Sequence, residues 1–213
     1  MIFEKISIMT PKKLHYLSEW ILFTFICIHL INHFISIFGI EKHIELMNTL
    51  RYIYRNVFAE SILLSSVCIQ LFSWIRKFTI YKKKETTRIE KLNYFAGLYL
   101  AVFLVFHISA VFIGRYFLNL NTNFYFGAAG LNAFPANLFF IPYYSLAIIS
   151  VVIKLSLIFT KIIHKKASGT STNIQTVGII IASITVALLI MFGLTSGFTG
   201  VKIPEEYLIL TGH

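Results

Sequence analysis

The sequence predicts an all-α protein, a single membrane domain over residues 1–213 that is built as a bundle of five transmembrane helices. Of the 213 residues, 57% are hydrophobic, and the mean hydropathy is +0.75. Five apolar stretches are each long enough to cross about 30 Å of hydrocarbon. The basic residues gather in alternate connections between these stretches, as they do in multi-pass membrane proteins.

The five predicted spans follow one another through short connections and take up most of the chain. They are Tyr16–Phe38, Val57–Ile75, Leu92–Leu118, Ala136–Phe159 and Ile174–Gly193. The first span begins about fifteen residues into the chain and has no small-residue cleavage pattern behind it, which favours a retained helix over a signal peptide.

Two of the connections are predicted to have structure of their own. Glu41–Asn56 has the pattern of an amphipathic helix at the outer interface, with an apolar face made by Ile44, Met47, Leu50 and Tyr54. His43 lies on this helix and, like the surface residues His15, His164 and His213, is assigned no chemistry. The aromatic segment 121–144 fits a surface or re-entrant cap, an aromatic belt at the headgroup level, or a lid over an outer quinone pocket.

The distribution of charge predicts the orientation of the bundle. Thirteen of the 19 Lys and Arg residues precede the first span or follow the second and fourth spans, whereas five lie on the opposite side. The positive-inside rule therefore places the N-terminus in the cytoplasm and the C-terminus outside, in the cytoplasmic membrane. Topology explains the run Lys82–Lys84, and nucleic-acid binding is not expected.

Several kinds of site are not predicted. Cys27 and Cys68 both fall inside spans without ligand spacing, which argues against a disulfide framework and against a cysteine-based metal site. There is no glycine-rich phosphate loop, no GxSxG and no CxxC in the sequence.

Two histidines at matching depth are the strongest functional signal. His29 on the first span and His107 on the third lie at the middle or in the outer half of the membrane, where a histidine is costly and usually functional. Two imidazoles on different helices can hold a haem iron from opposite sides. Alone, His29 could equally be a core histidine bonded to a backbone carbonyl. His33, one turn outward, is an alternative ligand, a quinone partner or a hydrogen-bonding residue.

A second polar layer is predicted nearer the cytoplasm. Gln70 on the second span and Lys154 on the fourth each lie about five residues before the inner end of their helix. Gln70 fits an interhelical hydrogen bond better than a ligand role. Lys154 fits an ammonium that snorkels towards the inner interface.

The outer surface carries the remaining candidates, which could serve a quinone. Asn32 and His33 offer hydrogen bonds to a quinone carbonyl, Arg55 and Arg51 are expected at the same surface, and Glu60 could pass protons to water. Glu60 also follows Arg51 and Arg55 closely, so a local ion pair is as well supported as a role in proton transfer.

The motifs resemble those of a known family. KKLHYL, FICIHLINHF, AESILLSSVCIQ, GLYLAVFLVFH and YSLAIISVVIK occur in this order over roughly residues 12–165. In these motifs the chain resembles the five-helix cytochrome b membrane subunit of succinate dehydrogenases and fumarate reductases. In that family helices one and three hold the haem far from the dehydrogenase, and helices two and four hold the near one.

The resemblance implies that His29 and His107 are the axial ligands of one haem b. Gln70 and Lys154 stand at or beside the positions of the near-haem ligands, so it also implies that this second haem is lost. The expected function is a non-catalytic subunit that carries electrons between membrane quinone and cytoplasmic flavoprotein and iron–sulfur partners. The alternative is a diverged relative, with haem or without it, that has a structural, sensory or assembly role and no dehydrogenase partner.

Overall fold

The computed structural model describes residues 10–81, 87–163 and 172–212, and all the regular structure in these ranges is helical. Five helices are long and apolar enough to cross a membrane, so the predicted fold class is confirmed and the protein is a multi-pass membrane protein. The predictions for Lys82–Lys84, His164 and His213 concern residues outside these ranges.

The spanning helices extend beyond the apolar runs that predicted them. They are α1 (Pro11–Ile35), α3 (Val57–Tyr81), α4 (Arg88–Phe112), α6 (Asn137–Ile163) and α7 (Thr172–Leu194). Helix α1 begins early because Thr10 caps it, accepting a hydrogen bond from the Lys13 backbone N–H, and Pro11 fits its first turn. Helix α4 begins with a capping box formed by Thr87 and Glu90.

Shorter elements cover one end of the bundle. Helix α1 continues into a 3₁₀ turn, Ser36–Phe38, and α4 continues into a π-helical segment, Ile113–Phe117. The connecting helices are α2 (Ile40–Tyr54) and α5 (Phe124–Asn132), and a 3₁₀ helix, Glu205–Leu210, follows α7. We call this side the α2 end and the opposite side the Pro11 end.

The five spanning helices form a closed ring in the order α1, α3, α4, α6, α7. Helix α7 closes the ring by packing against both α6 and α1. It lies very close to the 3₁₀ turn after α1, because a Cβ atom on Gly193 would meet Ser36 Oγ and the Ile37 backbone nitrogen. Within the described residues α1 and α4 do not pack along each other, so they face each other across the ring.

The main hydrophobic core lies at the α2 end and includes helix α5, which is part of segment 121–144. Phe124, Ala128 and Leu131 of α5 are at most 2% exposed and pack against Ile190 and Met191 of α7. Of the three alternatives for segment 121–144, the burial of α5 contradicts an aromatic belt and agrees with a re-entrant cap, and the quinone lid stays a prediction. Its apolar side chains find more burial between the ends of α6 and α7 than a headgroup layer offers.

Helix α2 is also more deeply packed than an interfacial helix. His43 is 1% exposed and Met47 is 6% exposed, while Tyr52 and Ile53 on the opposite face are more than half exposed. The predicted apolar face omitted His43, which is the most buried residue of the helix. Helix α2 therefore brings a histidine into the bundle.

Candidate functional site

Four histidines meet at the α2 end, and together we call them the histidine cluster. They are His29 and His33 on α1, His43 on α2 and His107 on α4. The ring centre of His29 lies 4.6 Å from that of His33 and 6.3 Å from that of His107. The rings of His33 and His43 are 5.4 Å apart. The structure thus brings together the two predicted ligands and the predicted alternative, and adds a fourth imidazole.

Aromatic rings fix the orientation of the two opposed imidazoles. Phe25, one turn before His29, stacks on it at 5.7 Å with an interplanar angle of 16°. Phe103 does the same for His107 at 5.1 Å and 15°. Each of the two histidines therefore stacks on a phenylalanine one turn earlier on its own helix, which is α1 for His29 and α4 for His107. Tyr144 on α6, 6.5 Å from His107, adds a third aromatic wall.

The separation of His29 and His107 fits two ligands of one metal. A metal bound at about 2 Å from each imidazole nitrogen places the ring centres about 6 Å apart, since each nitrogen lies about 1 Å from its ring centre. The observed distance between the ring centres is 6.3 Å. The two helices that carry these rings do not touch along their length in the described residues, which leaves the rings in the space between them.

Hydrogen bonding in the cluster is incomplete. His29 Nε2 and His33 Nε2 are 3.2 Å apart, and Asn32 Nδ2 donates to His43 Nε2 at the same distance. His33 Nδ1, His43 Nδ1 and Asn32 Oδ1 are buried without a partner. Buried polar atoms are nearly always paired in proteins, so a group of three that are not indicates a place for something polar to bind.

His43 stays neutral in this environment. Burial lowers the pKa of His43 to about 4, and the nearby His29 and Arg51 contribute to the lowering. Since Asn32 donates to Nε2, the proton of the neutral ring is on Nδ1, which is one of the unpaired atoms. His43 therefore presents a buried N–H donor.

Two opposed imidazoles are the number of axial ligands that a haem iron takes from a protein. In the ranges that the structure describes, no three side chains of His, Cys, Asp or Glu converge as an ion-binding group. A structural zinc site needs four ligands and a catalytic one three. A haem iron needs two axial imidazoles, because the porphyrin supplies the other four nitrogens. The residues present fit a haem, and His29 has only one weak hydrogen bond, to His33, to give up.

The predicted outer residues are near the cluster but have different partners from those expected. Glu60 pairs with Arg115, at the end of α4, and not with Arg51 or Arg55. Arg55 donates to Thr122 Oγ1 at 2.9 Å, and Arg51 donates to Asn121 Oδ1 at 3.0 Å. An ion pair was one of the two roles predicted for Glu60; the pair forms, but its partner is Arg115 on the segment after α4 rather than Arg51 or Arg55. Asn32 is buried against His43 and does not face the surface.

At the Pro11 end the two side chains at the near-haem positions are each bonded to a neighbouring helix. Gln70 Nε2 donates to the His15 carbonyl at 2.9 Å and to Ser18 Oγ at 2.8 Å. Lys154 Nζ donates to Asn93 Oδ1 at 2.7 Å. These bonds join α3 to α1 and α6 to α4, which is a structural role.

A large side chain fills space beside this second layer. A Cβ atom on Gly97 would lie 2.5 Å from the Trp74 ring, so the glycine admits the indole of Trp74 from α3. Gly97 was part of the motif that carried the family resemblance. Because Gly97 has no side chain, the indole of Trp74 on α3 can pack closely against α4 at this position.

His43 is the functional candidate that sequence reasoning missed. It lies four residues before Met47, so both are on one face of α2, and this spacing was visible in the sequence. What could not be seen was that this face packs against α1 and α5 rather than on the membrane surface.

Comparisons with protein-family models, with curated proteins and with solved structures found no match to this chain. The function is therefore argued from the geometry of the histidine cluster and from the motifs of the sequence.

Proposed function

We propose that this protein is a haem b-binding membrane subunit of the succinate dehydrogenase and fumarate reductase type. It would exchange electrons with membrane quinone in the cytoplasmic membrane. The observation that carries the proposal is the pair His29 and His107, which face each other from opposite helices with ring centres 6.3 Å apart. Three unpaired polar atoms beside this pair support a bound group at the same place.

Haem b bound between these imidazoles supplies one-electron redox chemistry at the iron. The chain contributes the ligands and their surroundings. His29 and His107 are held by stacking on Phe25 and Phe103, so the two rings are oriented before the cofactor arrives. The contact between His33 Nε2 and His29 Nε2 would be given up if Nε2 of His29 binds the iron, and His33 would then be free to turn towards another partner.

A groove beside His29 supports the quinone part of the proposal. It has a volume of about 480 Å³ and lies between α1, α2 and α3, open on one side. Its lining is aromatic and aliphatic, and includes Trp20, Phe25, Leu50, Tyr54 and Leu63. Phe25 forms part of the groove and stacks on His29, so a quinone ring there would be one aromatic ring away from the ligand. This location replaces the earlier expectation that Glu60 and Asn32 serve a quinone, because both are engaged with other side chains.

The soluble partners follow from the resemblance. Flavoprotein and iron–sulfur subunits would dock at the Pro11 end, on the cytoplasmic side that the positive-inside rule assigns to it. Reporter fusions test this orientation: a fusion at Lys84 is expected in the cytoplasm and one at Ala128 outside. The opposite result would place the histidine cluster near the cytoplasm and remove the reason for docking at the Pro11 end.

A second candidate is a haem protein that has no dehydrogenase partner. It is favoured by the second polar layer, in which Gln70 and Lys154 are bonded to neighbouring helices and Trp74 occupies the space that Gly97 leaves. Without a second haem the electron path from a cytoplasmic iron–sulfur cluster to the histidine cluster is long. Purification of the tagged protein from its own membranes distinguishes the two, because only the first candidate retains a flavin-containing partner.

The deciding experiment is a reduced-minus-oxidised absorbance spectrum of the purified protein. We expect the bands of a low-spin, bis-imidazole haem b at one haem per chain. Lys154→Gln is a matched control, because it changes a polar residue in the other layer and leaves the cluster intact. A haem-free protein from cells with ample haem would refute the proposal, and two haems per chain would refute the loss of the second site.

A further inference from the structure

Three arginines meet at the α2 end, above the histidine cluster. Arg51 and Arg55 come from the end of α2, and Arg115 comes from the π-helical segment that ends α4. Arg115 is eight residues beyond His107, a rise of about 12 Å along the helix. Side chains on a helix lean towards its N-terminus, so Arg115 leans back towards His107. The three arginines are close enough to act on one another electrostatically, and Arg51 also acts on His43.

Among the described residues, neither Arg51 nor Arg55 has a carboxylate within ion-pair distance. Glu60 pairs with Arg115, and this is the ion pair that the described part of the chain contains. Arg51 donates to the amide oxygens of Asn48 and Asn121, and Arg55 donates to the hydroxyl of Thr122. Neutral oxygens satisfy hydrogen bonds but not charge. Two half-buried guanidinium groups thus remain without a carboxylate.

The pKa values of Arg51 and Arg55 are both lowered in the folded protein. Burial lowers the pKa of Arg55 from its usual value, the positive charges of Arg51 and Arg115 lower it further, and Tyr54 and Glu60 offset part of this lowering. Burial likewise lowers the pKa of Arg51. An anion bound between the two would relieve this repulsion, and a guanidinium forms its strongest hydrogen bonds with carboxylates and phosphates.

A continuous row of rings joins the arginines to the proposed ligand. The ring of Tyr54 lies beside Arg51 and is 5.4 Å from that of Phe25, which stacks on His29. Arg51 is therefore linked through these rings to the histidine cluster and does not lie on a separate surface.

We propose that Arg51 and Arg55, together with the Arg115–Glu60 pair, bind the two propionate carboxylates of the haem, so that the haem lies with its propionate edge towards the α2 end. The assignment rests on the proposed function. A haem has an apolar ring and two carboxylates along one edge, and carboxylates in hydrocarbon are costly unless they are paired. Two unpaired positive charges match these two negative charges.

The test is a comparison of two haems in the full-length protein. Haem b-free protein is titrated with haem b and with its dimethyl ester, which keeps the iron and the ring but removes both negative charges. The parent protein should bind haem b about tenfold or more tightly than the ester. In the double variant Arg51→Gln, Arg55→Gln this ratio should fall to about one.

Controls separate a specific contact from general charge. Lys42→Gln removes an exposed positive charge from the first turn of the same helix α2 and should keep the parental ratio. Arg51→Lys keeps a positive charge at the site and should retain most of the preference. The single variants Arg51→Gln and Arg55→Gln are titrated as well, so that a double variant that does not fold leaves the question answerable.

A second measurement is the haem midpoint potential. Removing positive charge near the haem destabilises the reduced form, so the potential of the double variant should be lower than that of the parent and of Lys42→Gln. Equal binding of both haems by the parent, or an unchanged preference in folded Arg variants, would refute propionate binding by the arginines. Neither result would refute the proposal that a haem is bound. If neither haem gives a bis-imidazole spectrum, the proposed function fails first and the assignment fails with it.

Discussion

At the Pro11 end, Gln70 and Lys154 each reach a partner on a neighbouring helix, whereas at the α2 end Asn32, His33 and His43 keep polar atoms that are buried and unpaired. Each such atom costs about 1–3 kcal/mol relative to a paired one. A helical bundle gains nothing in stability from this arrangement. Gln70 and Lys154 thus join neighbouring helices, whereas the polar atoms left at the α2 end are those that the proposed ligand site would use.

The arginines at the α2 end have partners of two kinds. Arg115 pairs with Glu60, whereas Arg51 and Arg55 donate to the neutral oxygens of Asn121 and Thr122. Under the proposed assignment, the haem propionates would supply the negative charges for Arg51 and Arg55.

The largest effect is expected from removing a ligand. His107→Ala should abolish the haem spectrum, because the sequence of α4 contains no other histidine, cysteine or methionine that could ligate the iron. His29→Ala should do the same unless His33, one turn away, takes its place. Gln70→Ala and Lys154→Gln are predicted to keep one haem per chain. A His107→Ala protein with the parental spectrum would show that His107 is not a haem ligand and that the α2 end does not hold the haem as proposed.

The next largest effect concerns the core. Phe124→Ala should cost about 3–5 kcal/mol, because this side chain is 1% exposed and packs against both the core and His43. The matched control is Phe72→Ala on α3, a residue that is 71% exposed, where a change within about 0.5 kcal/mol is expected. Unfolding of the detergent-solubilised proteins in increasing denaturant gives both values. Similar losses in the two variants would mean that α5 is a loose cover rather than part of the core.

A smaller effect is expected at the Pro11 end. Gln70→Ala removes two hydrogen bonds to α1 and should lower stability by about 1–2 kcal/mol without changing the haem spectrum. Cys68→Ala, at an exposed position two residues earlier on the same helix, serves as the control. Loss of haem in Gln70→Ala would contradict the purely structural role of this layer.

The sequence predicted the spans well and the connections less well, for a physical reason. A run of about twenty apolar residues is a local signal, and so is a histidine inside it. The burial of His43 and of Phe124 depends on which helices meet at the α2 end, and this is not encoded in any short segment. Glu60 shows the same limit: its nearest cations in sequence are Arg51 and Arg55, yet its partner Arg115 is 55 residues away.

The smallest expected effect is a dependence of stability on pH at the α2 end. The pKa of His43 is lowered from 6.5 to about 4 in the folded protein, so the unfolded chain binds more protons between these values. Stability from this group is complete above pH 6.5 and is lost as the pH falls towards 4, and about 1 kcal/mol should be lost by pH 5.5. His43→Gln keeps an acceptor for Asn32 but cannot be protonated, so its stability should fall less between pH 7 and 5.5. His29, His33 and Arg51 lie close to His43 and are unchanged in the variant, so the difference between the two proteins isolates the contribution of His43. Parallel stability curves for parent and variant would show that His43 is not held neutral by its surroundings.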